Sequence, residues 1–360
     1  MTVAEPANFN VKQTIQAVVD GCELTEAEAT QAMDAIMRGE VTSAQIGALV
    51  TALRMRGETV DEITGFATAM RNHALTVTLP PDERTLVDTC GTGGDASGTF
   101  NISTTATFAI AGAGVRVAKH GNRAITSRCG SADLLEGLGV AIELAPEAVA
   151  RCVQEVGVGF MFAPAFHPAM RFVGPTRREI GIRTVFNILG PLTNPAGARH
   201  QLIGVGHRGI AEKLARVLAK LGSEHVVLVH ADEGLDEIGI SGPTTVTEYD
   251  AGDGEIRSFQ IAPQDFGLEA ATIDQMQGGD TATNVAITRD ILRGADGPRR
   301  AITLINAGAG IYAANGAATF GDGVEMAAAA IDSGRALIVL DQLVALSQEL
   351  ALTAPVETRA

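Results

Sequence analysis

The sequence contains few cysteines, and their spacing does not suit metal or disulfide chemistry. Four occur in 360 residues without any Cys-x-x-Cys pair: Cys22, Cys90, Cys129 and Cys152. Zinc sites usually take thiolates from closely spaced pairs, and disulfide frameworks are typical of short secreted chains. The spacing therefore predicts reduced thiols with mainly structural roles.

Signals for export, for membrane insertion and for one kind of nucleotide site are also missing. The segment 1–12 lacks the basic start and apolar run of a secretion signal, and no uninterrupted apolar stretch is long enough to span a bilayer. No GxxxxGK[ST] pattern occurs, which argues against an ATPase of the P-loop type. We therefore expect a cytoplasmic protein with no membrane partner.

Basic residues are scarce. The chain carries 27 Lys and Arg against 42 Asp and Glu, a formal net charge of -15. Nucleic acids are held through their phosphates by clustered Lys and Arg, so this balance disfavours a nucleic-acid partner. If the ligand is a small anionic phosphate, the attraction must come from a metal ion or from a locally basic stretch.

What is present begins with three helix starts near the N-terminus. Each is a capping box, in which a Thr and the Glu or Gln three residues later satisfy each other's backbone N–H groups. The pairs are Thr25 with Glu28, Thr42 with Gln45, and Thr59 with Glu62. Apolar residues follow at helical spacing, Ile46, Leu49, Val50 and Leu53 in the second segment and Ile63, Phe66, Ala67 and Met70 in the third. The pattern predicts one-sided helices that pack together or against another subunit.

The pattern changes after Leu79-Pro80-Pro81, where strand and helix signals begin to alternate. Strands are predicted at 86–89, 115–118, 141–144, 158–163, 202–205 and 225–230, with helices from Ser131, Pro146 and Gly209. Such alternation is typical of a mostly parallel sheet flanked by helices. We predict a small N-terminal α-helical domain over 1–80, completed by a helical segment near 168–190, and a larger α/β domain over 81–360.

A glycine-rich loop, Gly91–Asp95, directly follows the first predicted strand, and Asn101 to Thr104 then begin a helix. Bare backbone N–H groups and a helix N-terminus together favour a phosphate. A plain turn with an ordinary N-cap is the alternative. The residues also fit the G-x-G-x-x-A dinucleotide fingerprint, but the next strand ends in Arg116–Lys119 without an acid for a ribose hydroxyl.

A basic, glycine-containing stretch follows the second predicted strand. It comprises Lys119–Arg123 and Ser127–Asp133 and is the densest cationic region of the chain. At the carboxyl end of a parallel strand it would form a wall for pyrophosphate or a sugar phosphate. A solvated loop is the alternative.

These segments resemble the anthranilate phosphoribosyltransferases. The motifs GTGGD, FNIST, KHGNRA and GSAD occur in the order and spacing of that family, and the similarity continues through Phe162–Met170, Arg177-Arg178, Arg183–Pro195, Gly234–Glu237 and Gly278–Asp280. It spans nearly the whole chain. The resemblance implies transfer of a phosphoribosyl group to anthranilate in tryptophan biosynthesis, with Mg²⁺ as cofactor and a homodimer formed through the helical domain.

The resemblance also implies site residues. Those for phosphoribosyl pyrophosphate are Gly91, Gly94, Asp95, Thr99, Asn101, Ile102, Ser103, Thr104, Lys119, His120, Gly121, Asn122, Arg123 and Ser131. Gly91, Asn122 and Arg177 would contact anthranilate, and Ser103, Asp236 and Glu237 would hold the metal. Leaving-group stabilisation by Lys119 and the metal is expected, with no obligatory general base because an arylamine is largely unprotonated at neutral pH. The helical domain is expected to close over the cleft about a hinge near Pro80.

Two positions depart from the family pattern. Phe166 stands where many members have a histidine before His167, which leaves any shared role of that pair open, and His120 and His167 could line the acceptor path or simply pack. The acids Asp232 and Glu233 precede the metal pair, so the metal assignment depends on the GLDE match. A pyrimidine nucleoside phosphorylase and a non-catalytic paralogue of the same fold remain the alternative functions.

Overall fold

The computed structural model describes residues 9–80, 85–95, 97–124 and 128–353. Pro81, Ala96 and Ser127, which belong to segments discussed above, lie outside these ranges. The helices are α1 (Val11–Val19), α2 (Glu26–Met37), α3 (Ser43–Arg56), α4 (Val60–Asn72), α5 (Ile102–Gly112), α6 (Ser131–Leu138), α7 (Pro146–Glu155), α8 (Ala163–Phe166), α9 (Gly174–Ile180), α10 (Ala211–Lys220), α11 (Thr281–Leu292), α12 (Pro298–Ala313), α13 (Phe320–Asp332) and α14 (Arg335–Thr353). The strands are β1 (Leu86–Gly91), β2 (Arg116–Gly121), β3 (Val158–Phe162), β4 (His200–Gly204), β5 (His225–Ala231), β6 (Thr244–Asp250) and β7 (Glu255–Ile261).

Helices α1 to α4 and α9 form one compact unit, which contains residues 9–74 and His167–Thr193. The three predicted capping boxes are confirmed at the starts of α2, α3 and α4, with both reciprocal hydrogen bonds present in each. The apolar positions predicted for the second and third of these helices are all buried. Local side-chain chemistry thus determines where these helices begin, and their packing buries the face that the spacing predicted.

The second unit contains the described residues of 75–166 and 194–353 and holds the sheet. It begins earlier than the boundary expected at Pro80. Leu75 donates its N–H to the carbonyl of Phe166 at 2.9 Å, and Val77 donates to Pro195 at 3.0 Å. These bonds attach the chain to the α/β unit before Pro80, because backbone groups that are buried need partners.

The sheet has seven strands in the order β3-β2-β1-β4-β5-β6-β7. The first five strands of this order are parallel, and β6 and β7 pair antiparallel at one edge. The predicted mostly parallel sheet is therefore confirmed, whereas β6 and β7 were not predicted. In β7 most residues are exposed, as befits an edge strand, so no continuous apolar run marks it.

One predicted strand is wrong. Residues 141–144 form no strand, although Ile142 and Leu144 are buried and alternate with more exposed neighbours. The N–H of Ala141 donates at 3.0 Å to the hydroxyl of Ser347, on α14. Buried and exposed side chains alternate in this segment as they do in a strand. Its backbone, however, donates a hydrogen bond to a helix side chain and pairs with no strand.

Helix α14 is the one helix of the described residues that is long and apolar enough to cross a membrane by length and composition. Its buried residues are Ala336, Val339, Leu340, Leu343, Ser347 and Leu350. They repeat at helical spacing, and the apolar ones belong to the core of the α/β unit. The helix therefore packs one apolar face against the α/β core, and 33% of its apolar window is buried.

The strand order brings the ends of β1 and β4 together at the centre of the sheet. The chain runs from β1 outward to β2 and β3 and then returns to the other side of β1 as β4. In open α/β sheets, ligands bind beyond the carboxyl ends of the strands where the order reverses in this way. The fold therefore predicts a ligand-binding site in the crevice beyond the carboxyl ends of β1 and β4.

Candidate active site

The glycine-rich loop Gly91–Asp95 lies at this crevice. Thr92 donates its N–H to the carbonyl of Gly204 at 2.8 Å, and its hydroxyl accepts from the N–H of Gly206 at 3.0 Å. Gly93 and Gly94 have φ of 65° and 88°, a left-handed backbone that favours glycine. The loop is thus held to the end of β4 while its tip turns back over the strand ends.

The N-terminus of α5 adjoins the loop. Asn101 occupies the N-cap position, but its side chain makes no cap hydrogen bond and donates to the carbonyl of Cys129 at 2.9 Å. In the first turn, the N–H of Ser103 donates to Glu237 Oε1 at 3.2 Å. The start of α5, which favours negative charge, therefore lies beside Lys119 and Cys129, which belong to the predicted basic stretch.

Lys119 is the cation of this crevice. The sequence predicted it in a turn after the second strand, but it lies within β2, and its residue is only 3% exposed. Its Nζ donates to the carbonyl of Thr89 and, at 3.2 Å, to the hydroxyl of Ser103. Burial lowers the pKa of Lys119, and the neighbouring Asp88 and Glu237 carboxyls oppose that shift. The strand and its neighbours hold this ammonium group firmly beside the start of α5.

Two adjacent acids complete the crevice. The carboxylate of Asp236 accepts from the N–H of Gly93 at 2.8 Å, and a Cβ on Gly91 would lie 2.6 Å from the same oxygen. Burial raises the pKa of both Asp236 and Glu237, with a further increase from the charge of Asp95 at the first and of Asp236 at the second. Such crowded carboxyls gain if a cation shares the space.

Of the two acids that precede this pair, Glu233 has its side chain directed away from the glycine-rich loop. The carboxylate of Glu233 accepts a hydrogen bond from the hydroxyl of Ser241 and packs against Gly239. The backbone N–H of Asp232 donates to the carbonyl of Pro243 at 3.0 Å. Of the two acidic pairs, the second therefore lies against the glycine-rich loop.

The donor set of the crevice fits a hard divalent cation. Within the described ranges, no three His, Cys, Asp or Glu side chains converge closely enough to hold a metal ion. Ser103, Asp236 and Glu237 offer hydroxyl and carboxylate oxygens instead, and Mg²⁺ commonly combines one or two carboxylates with waters and ligand phosphates. These residues suit a Mg²⁺ ion that is shared with a phosphorylated ligand.

Comparison with known proteins identifies the family. A model described as glycosyl transferase family, a/b domain, matches residues 83–337, and one described as glycosyl transferase family, helical bundle domain, matches residues 12–74. An anthranilate phosphoribosyltransferase from Chloroflexus aggregans is 55% identical over 341 residues, covering 94% of this chain and 99% of the relative. The chain belongs to the anthranilate phosphoribosyltransferase family.

Solved structures of the family have the same fold. The anthranilate phosphoribosyltransferase of Thermus thermophilus has a TM-score of 0.87 and 42% identity, over 93% of this chain and 99% of its own. That of Saccharomyces cerevisiae, in complex with phosphoribosyl pyrophosphate and Mg, has a TM-score of 0.86 and 27% identity, over 94% and 98%. The predicted resemblance and fold class are therefore confirmed, and neither alternative function is favoured.

Some residues that the family resemblance assigns to phosphoribosyl pyrophosphate bind other protein groups in this structure. Arg123 forms ion pairs with Asp133 at 3.1 Å and with Glu136 at 2.7 Å, so its charge is already neutralised. The carbonyl of Asn122 accepts from the hydroxyl of Ser131 at 3.2 Å, which closes this turn. Of the cations in this stretch, Arg123 is therefore directed to α6, whereas Lys119 is directed to the start of α5.

Several further residues of the phosphoribosyl pyrophosphate set lie inside the unit. Ile102, Thr104 and His120 are buried, and Gly121 packs against Ser131 and Phe160. The N–H of His120 donates to Asp88 Oδ1 at 3.3 Å. Sequence reasoning did not single out Asp88, although an acid in an otherwise apolar strand was a visible signal. It is fully buried, and it supports the strand that carries Lys119.

Arg177 lies in the helical unit, on α9, whereas Gly91 and Asn122 lie in the α/β unit. Its guanidinium group is 5.7 Å from the centre of the Phe186 ring, and burial lowers its pKa. Burial also lowers the pKa of His167, to about 4, so this histidine is neutral at pH 7. A neutral, buried His167 agrees better with the packing role than with acid–base chemistry.

Proposed function

We propose that the protein transfers the 5-phosphoribosyl group of phosphoribosyl pyrophosphate to the amine of anthranilate, giving N-(5-phosphoribosyl)anthranilate and pyrophosphate in tryptophan biosynthesis. The observation that carries this proposal is the convergence of the glycine-rich loop, the start of α5, Lys119 and the acidic pair on one crevice. Family membership supports it. Since one fold can host several chemistries, the site and the family together decide.

The donor would lie with its pyrophosphate over the loop and the α5 N-terminus. The backbone N–H groups of Gly94 and Asp95 and the hydroxyl of Ser103 would supply donors to phosphate oxygens, since the N–H groups of Thr92 and Gly93 are bound to Gly204 and Asp236. Asp95, Thr99, Asn101, residues 119–123 and Ser131 complete this set as family resemblance implies. Positive potential for the donor would come from Lys119, the start of α5 and Mg²⁺ together, because Asp236 and Glu237 line the same crevice and the net charge of the chain is -15.

Mg²⁺, held by Ser103, Asp236 and Glu237 together with the pyrophosphate, would supply charge neutralisation for the leaving group. The chain's own contribution is to place Lys119 against the same oxygens, where its ammonium group stabilises negative charge as the anomeric bond breaks. The reaction is a displacement with oxocarbenium character at the ribose. The arylamine attacks without a strong general base because it is already neutral.

Arg177 is proposed to bind the anthranilate carboxylate through a planar, bidentate contact, with Asn122 and Gly91 orienting the amine. Arg177→Ala should raise the KM of anthranilate by roughly 10- to 100-fold, the loss expected for about 1.5–3 kcal/mol of charged hydrogen bonding. The KM of phosphoribosyl pyrophosphate should stay within about twofold of wild type, as measured by steady-state kinetics.

Arg178→Ala is the matched control, since Arg178 follows directly on α9 and is exposed. It should leave both KM values unchanged. Equal increases of the two KM values in Arg177→Ala, or an increase in the control, would contradict the assignment.

The direct test of function is loss of anthranilate fluorescence on mixing enzyme, Mg²⁺ and phosphoribosyl pyrophosphate. Release of pyrophosphate should match the anthranilate consumed. Thymidine with inorganic phosphate is the competing assay for a nucleoside phosphorylase. Turnover only in the competing assay, or in neither, would refute the proposal.

We also propose a homodimer formed through the helical unit. An apolar groove of about 650 Å³ runs along α1, α3 and α9 within that unit, and Val19 and Met55 on it are 62% and 84% exposed. Exposed apolar grooves of this kind mark interfaces, and a second copy is the simplest occupant. Met55→Glu should weaken dimerisation by about tenfold or more because it buries a charge without a partner.

Sedimentation velocity over a range of concentrations measures this effect. Leu352→Glu is the control, since Leu352 is an apolar residue that is 78% exposed in the other unit. A monomeric wild type at all concentrations would refute the dimer. Cytoplasmic location remains a prediction that rests on the sequence.

A further inference from the structure

A network of hydrogen bonds between side-chain amides joins the start of α5 to residues 279–284, to which the proposed mechanism assigns no role. The N–H of Gly279 donates to Asn284 Oδ1 at 2.8 Å, and Asn284 Nδ2 donates to Asn101 Oδ1 at 2.9 Å. Asn101 Nδ2 in turn donates to the carbonyl of Cys129 at 2.9 Å. Asn284, on α11, is only 2% exposed. Three segments distant in sequence are thus linked through two amides.

This hydrogen-bond network determines the orientation of the Asn101 side-chain amide. Each side-chain amide has one accepting oxygen and one donating NH₂. The network begins at a backbone donor, the N–H of Gly279, and ends at a backbone acceptor, the carbonyl of Cys129. If Asn101 were flipped, its NH₂ would face the NH₂ of Asn284, and its oxygen would face the carbonyl of Cys129. Both contacts would be repulsive in a buried setting, so Asn284 selects one orientation.

The selected orientation keeps Asn101 from capping its own helix. Asparagine at an N-cap normally accepts from a first-turn N–H with its side-chain oxygen, as Asn10 does at the start of α1. At α5 that bond is missing, because Asn284 holds the oxygen of Asn101. In this first turn Glu237 accepts from the N–H of Ser103, and Asn101 adds no second acceptor, so its side chain does not compete with an external anion for the helix start.

The backbone before Asn284 supports the same arrangement. The N–H of Gly278 donates to the carbonyl of Gly98 at 3.0 Å, and the N–H of Phe100 donates to Met276 at 3.0 Å. A Cβ on Gly278 would lie 2.8 Å from the backbone nitrogen of Phe100, so only glycine fits here. The motif Gly278–Asp280 therefore acts as a brace for the segment that leads into α5.

We propose that Asn284 is a positioning residue for the phosphorylated donor, acting through Asn101 to keep the Asn101 side chain off the first turn of α5, where the pyrophosphate would bind. This inference rests on the proposed function, because it names a residue that tunes the same site. Asn284 touches neither substrate in this account. Its effect should therefore fall on donor binding, with little effect on anthranilate.

The test is Asn284→Asp, which keeps the shape and still accepts from Gly279 but cannot donate to Asn101. The oxygen of Asn101 is then repelled and released toward the first-turn N–H groups of α5. We expect the Kd and KM of phosphoribosyl pyrophosphate to rise by about tenfold or more. The KM of anthranilate should stay within about twofold. Asn284→Ala, which adds no charge, should change donor binding in the same direction.

Thr288→Val is the matched control. Thr288 lies one turn further along α11, and its hydroxyl is 2.9 Å from that of Thr105 on α5, with both residues fully buried. This variant removes a buried bond between the same two helices without touching Asn101. It should lower Tm while leaving the Kd of phosphoribosyl pyrophosphate unchanged.

Calorimetric titration with phosphoribosyl pyrophosphate and Mg²⁺ gives Kd independently of turnover. Wild-type donor affinity in Asn284→Asp and Asn284→Ala would overturn the proposal, as would equal weakening in Thr288→Val, which would reduce the effect to helix packing. Failure of the proposed function is distinguishable, because it would appear as a wild-type enzyme that does not consume anthranilate.

Discussion

Lys119→Met is expected to lower kcat by about 100- to 1000-fold, the loss typical for removing one preorganised group that stabilises developing charge. Methionine retains the length and apolar stem of the lysine but not its ammonium group. The effect should be large because Lys119 is held between Thr89 and Ser103 and is shielded from water, where a charge acts more strongly. Stopped-flow measurement of single turnovers separates the chemical step from donor binding.

Lys119→Arg is the comparison variant for this prediction. It keeps the charge but spreads it over a planar group that the narrow space in β2 does not accommodate well, so an intermediate rate is expected. Circular dichroism should establish that each variant is folded, since removing Lys119 leaves Asp88 buried with less compensation. A folded Lys119→Met enzyme with a rate within threefold of wild type would exclude the proposed role.

Glu237→Gln is expected to raise the Mg²⁺ concentration for half-maximal activity by about 10- to 100-fold, the range seen when groups around a metal are altered. The substitution removes a negative charge from the donor set, but the amide oxygen can still accept from the N–H of Ser103. Titration of activity with Mg²⁺ at saturating donor is the measurement. Asp236→Asn should behave similarly.

Glu233→Gln tests the competing acids. Its carboxylate faces Ser241, so the Mg²⁺ dependence should match that of wild type. If Glu233→Gln shifted the Mg²⁺ titration and Glu237→Gln did not, the metal assignment would have to move to the earlier pair. The two variants make the same chemical change a few residues apart, so general effects of lost charge cancel.

These expectations share one physical basis. An acidic protein with a net charge of -15 can attract a polyanionic donor only where its field is locally reversed. The start of α5, the ammonium group of Lys119 and a cation bound by the acidic pair would together provide that reversal. The carboxyl groups of Asp236 and Glu237, whose pKa values are raised by burial and by the charge of a neighbouring acid, gain from that cation as well.

How well the sequence predicted each feature depends on the range of the interaction. Each of the three capping boxes joins residues that are three apart in sequence, and all three predictions are confirmed. Residues 141–144 had the alternation of a strand, but they form none, because a strand requires a partner that local pattern does not supply. Likewise, the sequence did not predict that Arg123 would form an ion pair with Glu136, because that contact depends on how α6 folds against residue 123.

The sequence by itself determined the helix starts, the glycine-rich turn and the acidic balance, because each follows from residues within a few positions or from a simple sum of charges. The tertiary structure alone decided which acids face the loop and which amide orients Asn101. The contact of Gly93 with Asp236 joins residues 143 apart, and that of Asn101 with Asn284 joins residues 183 apart. Such contacts depend on strand order and helix packing, which bring distant segments together only in the folded chain.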